Sequence, residues 1–467
     1  MIGLGTMGRN FLLNIGEHGI AGVGFDLDAT KRDLLLKEGA GLPVDVGDDL
    51  TDFIAKLETP RNIMMLVPAG PIVDKVIADL LPHLSEGDLI IDGGNSHFTD
   101  TERRQADLDQ KKVGFMGIGV SGGEAGARHG ASIMPGGKRE FYDRIETTLQ
   151  AVSAKVDGEP CVDYMGAGSA GHFVKMVHNG IEYGLMQIIA ETYDYMKRVL
   201  GMDDDAMSAT FAEWNSAELN SFLIEITATV LAKKDDDTGK PLVEMILDTA
   251  GQKGTGVWTS QAALDFGIPI PTIDSAVSMR QISSQKATRG TLAAKYPSGS
   301  RNASNEATLD DLRNGLFCAF IIVYSQGMSL LQAASKEKSY GLNLSDIAKI
   351  WRGGCIIRSA LLEEMRQAFG ANADLPNLLL DDKFAAILGK HSDALRKTVI
   401  SFINNGIPAL CFSSVLAYFD AFREERLPAN LIQAQRDYFG AHTYQRLDKD
   451  GTFHTADWPG GATTAAN

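Results

Sequence analysis

Cysteine is scarce and scattered. The 467 residues hold four, Cys161, Cys318, Cys355 and Cys411. With no CxxC pair and no ligand-like spacing, neither a disulfide framework nor a thiolate metal site is expected, and the four read as reduced core thiols. Cations are also in deficit. Forty-four Lys and Arg face 60 Asp and Glu, for a formal net charge of −16. That balance argues against a general nucleic-acid binder and against a protein held on anionic lipid. Long apolar runs are missing: the best, Leu316 to Tyr324, is about half the length that crosses a bilayer. No signal-peptide layout precedes Arg9, so a cytoplasmic location is the expectation. Strand-forming residues ahead of the first glycine are few. Only Met1 and Ile2 precede Gly3, a stub where a central strand usually has about five residues.

Glycine is what the chain has in excess, 49 residues, roughly a tenth where about 7% is usual. Such an excess points to tight turns and to backbone lying close to ligands. The first third alternates strand-like runs (20–25, 62–67, 88–92, 113–120) with helical stretches (49–57, 71–81, 99–110). Residues 131–135, 141–149 and 151–156 continue that style. This alternation predicts a doubly wound parallel sheet, an α/β dinucleotide-binding (Rossmann-type) domain over 1–168, with ligands beyond the carboxyl ends of the strands. From Phe173 the texture becomes helix-period and apolar, in stretches such as 173–200 and 310–335. A large all-α domain over 169–425 is predicted, followed by a C-terminal tail, 426–467, ending in PGGATTAAN.

Gly3-Leu4-Gly5-Thr6-Met7-Gly8 fits GxGxxG, with a helix start at Asn10–Ile15 and a strand ending at Phe25 behind it. The first glycine permits the strand-to-helix turn, the second admits a pyrophosphate, and the third allows helix–strand packing. Asp26 then stands where a carboxylate accepts the adenosine ribose hydroxyls and repels a 2′-phosphate, and Leu27 supplies no cation. NAD is therefore the preferred cofactor on this reading, although Lys31 and Arg32 lie near enough to swing toward a phosphate.

Lys175, His178, Asn179 and Glu182 fall at i, i+3, i+4 and i+7 of an apolar helix, on one face. A solvated face is the plain alternative, but the other faces are apolar, so the helix has no evident side for water. A Lys that loses proton affinity serves as a base and a buried carboxyl as an acid, a pair suited to alcohol oxidation. Gly180 and Gly184 in the same helix predict close approach by another element. Asp92-Gly93-Gly94-Asn95-Ser96 and Ser121-Gly122-Gly123-Glu124, each after a strand, offer N–H groups and hydroxyls to an anion.

The segments GLGTMG, IDGGNS, GVSGGEAGAR, SIMPGG, GHFVKMVHNGIEYG, GQKGTG, WRGGCIIRS and RDYFGAHTYQR, in that order, resemble the 6-phosphogluconate dehydrogenase family in its long form. The resemblance implies oxidative decarboxylation of 6-phosphogluconate to ribulose 5-phosphate and CO2, in the pentose phosphate pathway. It implies Lys175 as general base and Glu182 as general acid. It implies Asn95, Ser121, Gly122, Gly123, His178 and Asn179 around the substrate's carboxylate and hydroxyls. Tyr183, Lys253, Thr255 and Arg280 fall at its phosphate end. Arg436 and His442 would serve a neighbouring subunit's site, in a homodimer with exchanged tails. Gly3, Gly5, Thr6, Met7, Gly8, Asp26, Leu27, Val67 and Asn95 would line the cofactor.

Three departures stand out. The family's usual Asn-Arg-Thr after the second strand is Asp26, Leu27 and Asp28 here. Pro68 and Val257 replace lysines common in the family. These too favour NAD over the family's NADP, so kcat/KM is expected to be higher with NAD, and Leu27→Arg to narrow the gap. The rivals are a β-hydroxyacid dehydrogenase for a non-phosphorylated acid, which leaves Lys253, Arg280 and Arg436 without purpose, and an inactive NAD-binding sensor, which would be expected to lack the Lys175/Glu182 pair.

Overall fold

A computed structural model describes residues 1–297 and 307–458, so the PGGATTAAN ending lies outside the described residues. Six strands form the N-terminal sheet: β1 (Gly22–Gly24), β2 (Val44–Val46), β3 (Asn62–Met65), β4 (Leu89–Asp92), β5 (Gly114–Val120) and β6 (Ile133–Gly136). β1 pairs with β2, and β3, β4 and β5 follow in order, all parallel. β6 runs antiparallel to β5, which departs from the all-parallel expectation. The N-terminal stub reaches both of its neighbours. Ile2 bridges Phe25 on one side and Met65 on the other, and its N–H and C=O bond to Met64 and Leu66 at 2.8 and 2.9 Å. One residue thus joins the β1–β2 pair to the four-stranded sheet.

Alternating side chains fill both faces of that sheet, as burial between two helical layers requires. Met64, Ile91, Met116 and Ile118 pack on one side, and Ile63, Met65, Ile90 and Phe115 on the other.

The helical region is organised by two 29-residue helices, Ala170–Arg198 and Leu309–Glu337. Glycine lets them cross closely. A Cβ on Gly184 would lie 2.8 Å from Val323, and one on Gly327 would lie 2.4 Å from Ile181. Gly180 does the same against Thr259 at 2.6 Å, so the close approach expected at Gly180 and Gly184 is observed. Leu309–Glu337 is long and apolar enough to span a membrane, but 83% of its apolar window is buried inside the protein, which makes it a core helix. The four cysteines are free and buried. The expected Rossmann-type domain followed by a helical domain is therefore what the chain forms.

By compactness the chain divides into two units, Met1–Val415 and Leu416–Asn467. The second unit contains the helix Ala429–Gly440 and a bridge between Tyr444 and Phe453.

Candidate active site

The three fingerprint glycines differ in what surrounds them. Gly3 has φ +87°, and a Cβ there would lie 2.6 Å from the Leu66 carbonyl oxygen. A Cβ on Gly8 would fall 1.9 Å from the Gly3 oxygen, so only glycine lets the helix Thr6–Glu17 start against the turn. At Gly5 a Cβ meets no protein atom within 4 Å. The turn is thus tight where it packs and open where a pyrophosphate would lie against the first-turn N–H groups of Thr6 and Met7. A dinucleotide fits this cradle, with Val67 beside Gly3 and Asn95 exposed beyond the end of β4.

The helix Ala170–Arg198 is fixed to this sheet by backbone contact. A Cβ on Gly171 would lie 2.3 Å from the Gly117 and Met134 oxygens, and one on Gly136 would lie 2.1 Å from the Gly171 nitrogen. Gly166 (φ +141°) is closed off by the Tyr340 carbonyl oxygen at 2.2 Å. These contacts account for the GxGxxG that opens the helix. One turn later comes Lys175, 6% exposed, over a sheet position with no side chain: a Cβ on Gly119 would sit 2.4 Å from its Cβ.

A hydrogen-bond chain runs from β5 across the helix. The Asn179 carbonyl can only accept, so His178 donates from Nδ1 to Asn179 Oδ1 at 3.0 Å. Nε2 then accepts from Ser121 Oγ at 3.2 Å, and Asn179 Nδ2 donates to Thr255 Oγ1 at 3.3 Å. His178 is fully buried, and burial together with the charge of Lys175 pushes its pKa well below the usual value, which keeps the ring neutral. Burial also lowers the Lys175 ammonium pKa, against an opposing pull from Glu182. Glu182 moves the other way: desolvation raises its carboxyl, opposed by Lys175 and Arg280. The base candidate has lost proton affinity and the acid candidate has gained it, the separation that acid–base work needs.

Farther along, the Arg280 guanidinium stacks over the Tyr183 ring at 4.2 Å and donates to the Gly251 carbonyl at 2.6 Å. Lys253 is exposed on the same loop, and Thr255 is buried at the first turn of Thr255–Asp265. Gly122 (φ +97°) and Gly123 (φ +60°) start the helix Gly123–His129 beside Ser121. Ser121, His178, Asn179 and Thr255 are thereby linked by hydrogen bonds, Arg280 stacks on Tyr183, and Lys175 and Glu182 stand on the same helix. Arg436 and His442 belong to the second unit, where both are exposed.

Two neighbours were not singled out by the sequence reading. Trp351, fully buried, meets the His178 ring edge-on at 5.6 Å. Cys355 is buried within the electrostatic reach of Lys175 and Glu182, its thiol pushed up to about 12 by desolvation. Both lie in WRGGC, where a Cβ on Gly122 would come within 2.5 Å of the Gly354 oxygen. His97 of the β4 loop also meets Trp258 edge-on at 4.9 Å.

Residues 1–166 match the NAD binding domain of 6-phosphogluconate dehydrogenase, and residues 171–458 match that enzyme's C-terminal domain. The chain is 48% identical over 462 residues to a Bacillus subtilis protein named 6-phosphogluconate dehydrogenase, NADP(+)-dependent, decarboxylating, covering 98% of each chain. It is 49% identical to the decarboxylating 6-phosphogluconate dehydrogenase of Rattus norvegicus, over 98% of this chain and 96% of that one. Among solved structures, it superposes on Plasmodium falciparum 6-phosphogluconate dehydrogenase with TM-score 0.94 and 44% identity, covering 97% of this chain and 99% of the other. That enzyme has been solved in its apo form, with NADP+ and with 6-phosphogluconate.

These relatives overturn the NAD preference read from Asp26 and Leu27, because one is NADP-dependent by name and another holds NADP+. The geometry supplies a reason. Asp26 Oδ2 accepts the Leu4 N–H at 2.8 Å and Oδ1 accepts the Asp28 N–H at 3.0 Å, so the carboxylate is engaged by backbone. Lys31 Nζ stands 3.3 Å away, and Arg32 donates to the Asp26 carbonyl at 2.6 Å. Lys31 and Arg32 thus offset the charges of Asp26 and Asp28, and Leu27 itself projects into solvent at 89% exposure.

Proposed function

The chain belongs to the 6-phosphogluconate dehydrogenase family, and from that premise we propose that it oxidatively decarboxylates 6-phosphogluconate to ribulose 5-phosphate and CO2 with reduction of NADP. The observation that carries this reading is the pair Lys175 and Glu182, shifted in opposite directions on one face of a helix seated on the cofactor sheet. Gly3, Gly5, Thr6, Met7, Gly8, Val67 and Asn95 would hold the dinucleotide, with Lys31 and Arg32 at its 2′-phosphate. Bound NADP supplies the hydride acceptor.

Lys175, as the free amine, takes the proton of the C3 hydroxyl. Its ammonium then donates to the new C3 carbonyl, which accepts the electron pair of the C1–C2 bond as CO2 departs. Glu182, whose proton affinity is raised by desolvation, delivers a proton to the carbon that had carried the carboxylate. Neutral His178, held in one tautomer by Asn179 and Ser121, and Asn179, anchored on Thr255, orient the hydroxyls. Asn95, Ser121 and the N–H groups of Gly122 and Gly123 receive the departing carboxylate. Tyr183, Lys253, Thr255 and Arg280 take the phosphate. Arg436 and His442 complete the phosphate end of a neighbouring subunit's site, in a dimer.

Initial rates and CO2 release with 6-phosphogluconate and NADP test the reading. Turnover should be lost with gluconate or 3-hydroxyisobutyrate, and NADP should outperform NAD. Equal turnover of the non-phosphorylated acids would sink it.

A further inference from the structure

The second unit has almost no core of its own. Among its described residues beyond Tyr418, one is fully buried, and it is a carboxylate, Asp437. It lies in the last turn of Ala429–Gly440, and four donors from the following twenty-one residues converge on it. Oδ1 accepts the Thr443 N–H at 3.0 Å and His454 Nδ1–H at 2.9 Å. Oδ2 accepts the Thr455 N–H at 3.0 Å and the Trp458 indole N–H at 3.1 Å. Burial works against ionisation, but these donors outweigh it and hold the carboxyl down at about 2. Its oxygens are fully occupied, so Asp437 is not itself a ligand for a substrate.

The segment it fixes is strained. Ala441 (φ 49°) and Thr443 (φ 64°) both occupy the left-handed region without being glycine, a conformation that persists only where surrounding contacts over-determine it. His442 lies between them, packed so closely that a Cβ on Gly440 would come within 2.6 Å of its Nε2. Gln433 ties the two sides together, donating to the Thr443 carbonyl at 2.5 Å and accepting from Arg436 at 3.0 Å. The returning stretch is closed by reciprocal 2.8 Å bonds between Tyr444 and Phe453.

We propose that Asp437 is the positioning residue for Arg436 and His442, the staple that presents guanidinium and imidazole as one preformed anion-binding pair. This rests on the reading above that those two side chains bind substrate. Without the carboxylate, a unit so poor in apolar core would have to order the turn at the moment of binding, and affinity for the sugar phosphate would fall. The reacting atoms are served by other residues, so the bound complex should still turn over.

The test is steady-state kinetics on full-length Asp437→Asn, on R436A/H442A, and on the triple variant. Asparagine keeps the shape but turns one oxygen into a donor, removing two of the four bonds. KM for 6-phosphogluconate should rise about tenfold while kcat stays within about twofold, the split expected when only binding order is lost. Affinity for NADP should not change. Added to R436A/H442A, Asp437→Asn should cost less than about twofold more, because its effect passes through those two residues. A wild-type KM in Asp437→Asn, or the full penalty persisting in the triple variant, overturns the proposal. A wild-type KM in R436A/H442A overturns the substrate reading of the tail, and the proposal with it. His454→Ala and Trp458→Phe each remove one donor and leave the carboxylate in place, which covers the case of an Asp437→Asn that does not fold. Each should raise KM about two- to threefold, and unchanged values in both would also overturn the proposal.

Discussion

The two ends of the site are built from different material. At the cofactor end the working surface is backbone, and the sequence contributes chiefly by omitting side chains at Gly3, Gly5 and Gly8. At the end proposed for the chemistry the surface is side chains, Lys175, His178, Asn179 and Glu182, in the largely apolar first half of the helix Ala170–Arg198. The first end poses a problem of close approach, which distance alone decides. The second poses a problem of desolvation, because burial sets which group holds a proton. A backbone cradle should therefore be sensitive to a single methyl and indifferent to pH, while the stripe should tolerate changes of shape and respond to charge.

That division can be broken most directly at Lys175. Lys175→Met should lower kcat by about 10³-fold or more while NADP binding, followed by calorimetric titration, stays at the wild-type value. A parallel loss of cofactor affinity would show that the two ends are one machine. Next come the glycines. Gly8→Ala puts a methyl where 1.9 Å is available and should cost roughly 3 kcal/mol or more of stability. Gly5→Ala, with no protein atom in reach, should melt like wild type and lose about tenfold in NADP affinity as the pyrophosphate is displaced.

Glu191 sharpens the rule for the helix, because it is a buried carboxyl there with no part in the chemistry. It accepts the N–H groups of Cys411 and Phe412 at 3.0 and 2.9 Å, and desolvation raises it from 4.5 to about 7. The folded state thus keeps a proton that the unfolded chain has already shed between those values. Its stabilising contribution is complete below about 4.5 and is lost as pH rises through 7. The loss amounts to roughly 3 kcal/mol by linkage. Urea unfolding at pH 5 and pH 8 should show it, and Glu191→Gln should flatten that part of the profile. The smallest effect is expected at Arg32→Ala, where a partly exposed cation is worth at most about 1 kcal/mol. KM for NADP should rise about fivefold, with KM for 6-phosphogluconate unchanged.

Legibility followed the same division. The fingerprint and its spacing located the cradle because each glycine answers a separate steric demand. The stripe could be read because four polar residues at helical spacing have no solvent side in so apolar a segment. What escaped were effects of direction and distance. Val44–Val46 is too short for periodicity, and nothing in SIMPGG announces that β6 runs backwards. Length gave no sign that Ile2 bridges Phe25 on one side and Met65 on the other. Trp351 and Cys355 reach the site only because a glycine turn more than 170 residues along the chain folds under the helix. Spacing also named Asp26 correctly as the strand-end residue without revealing where its carboxylate points. It points at the Leu4 amide.

The seam where Gly171 meets Gly117, Met134 and Gly136 acts as a datum, the reference face from which the rest of the machine is dimensioned. No rotamer lies between sheet and helix there, so the offset between the cofactor sheet and the backbone that carries Lys175 is set by peptide geometry. An error of about 1 Å at the proposed base can cost 10²-fold in rate, and the helix that carries it is held to the sheet by this backbone contact. The same seam cannot be adjusted in small steps, because the first methyl added is already too large. Adaptation of such a chain to a new substrate would have to come from the loops and the tail, with this joint left untouched.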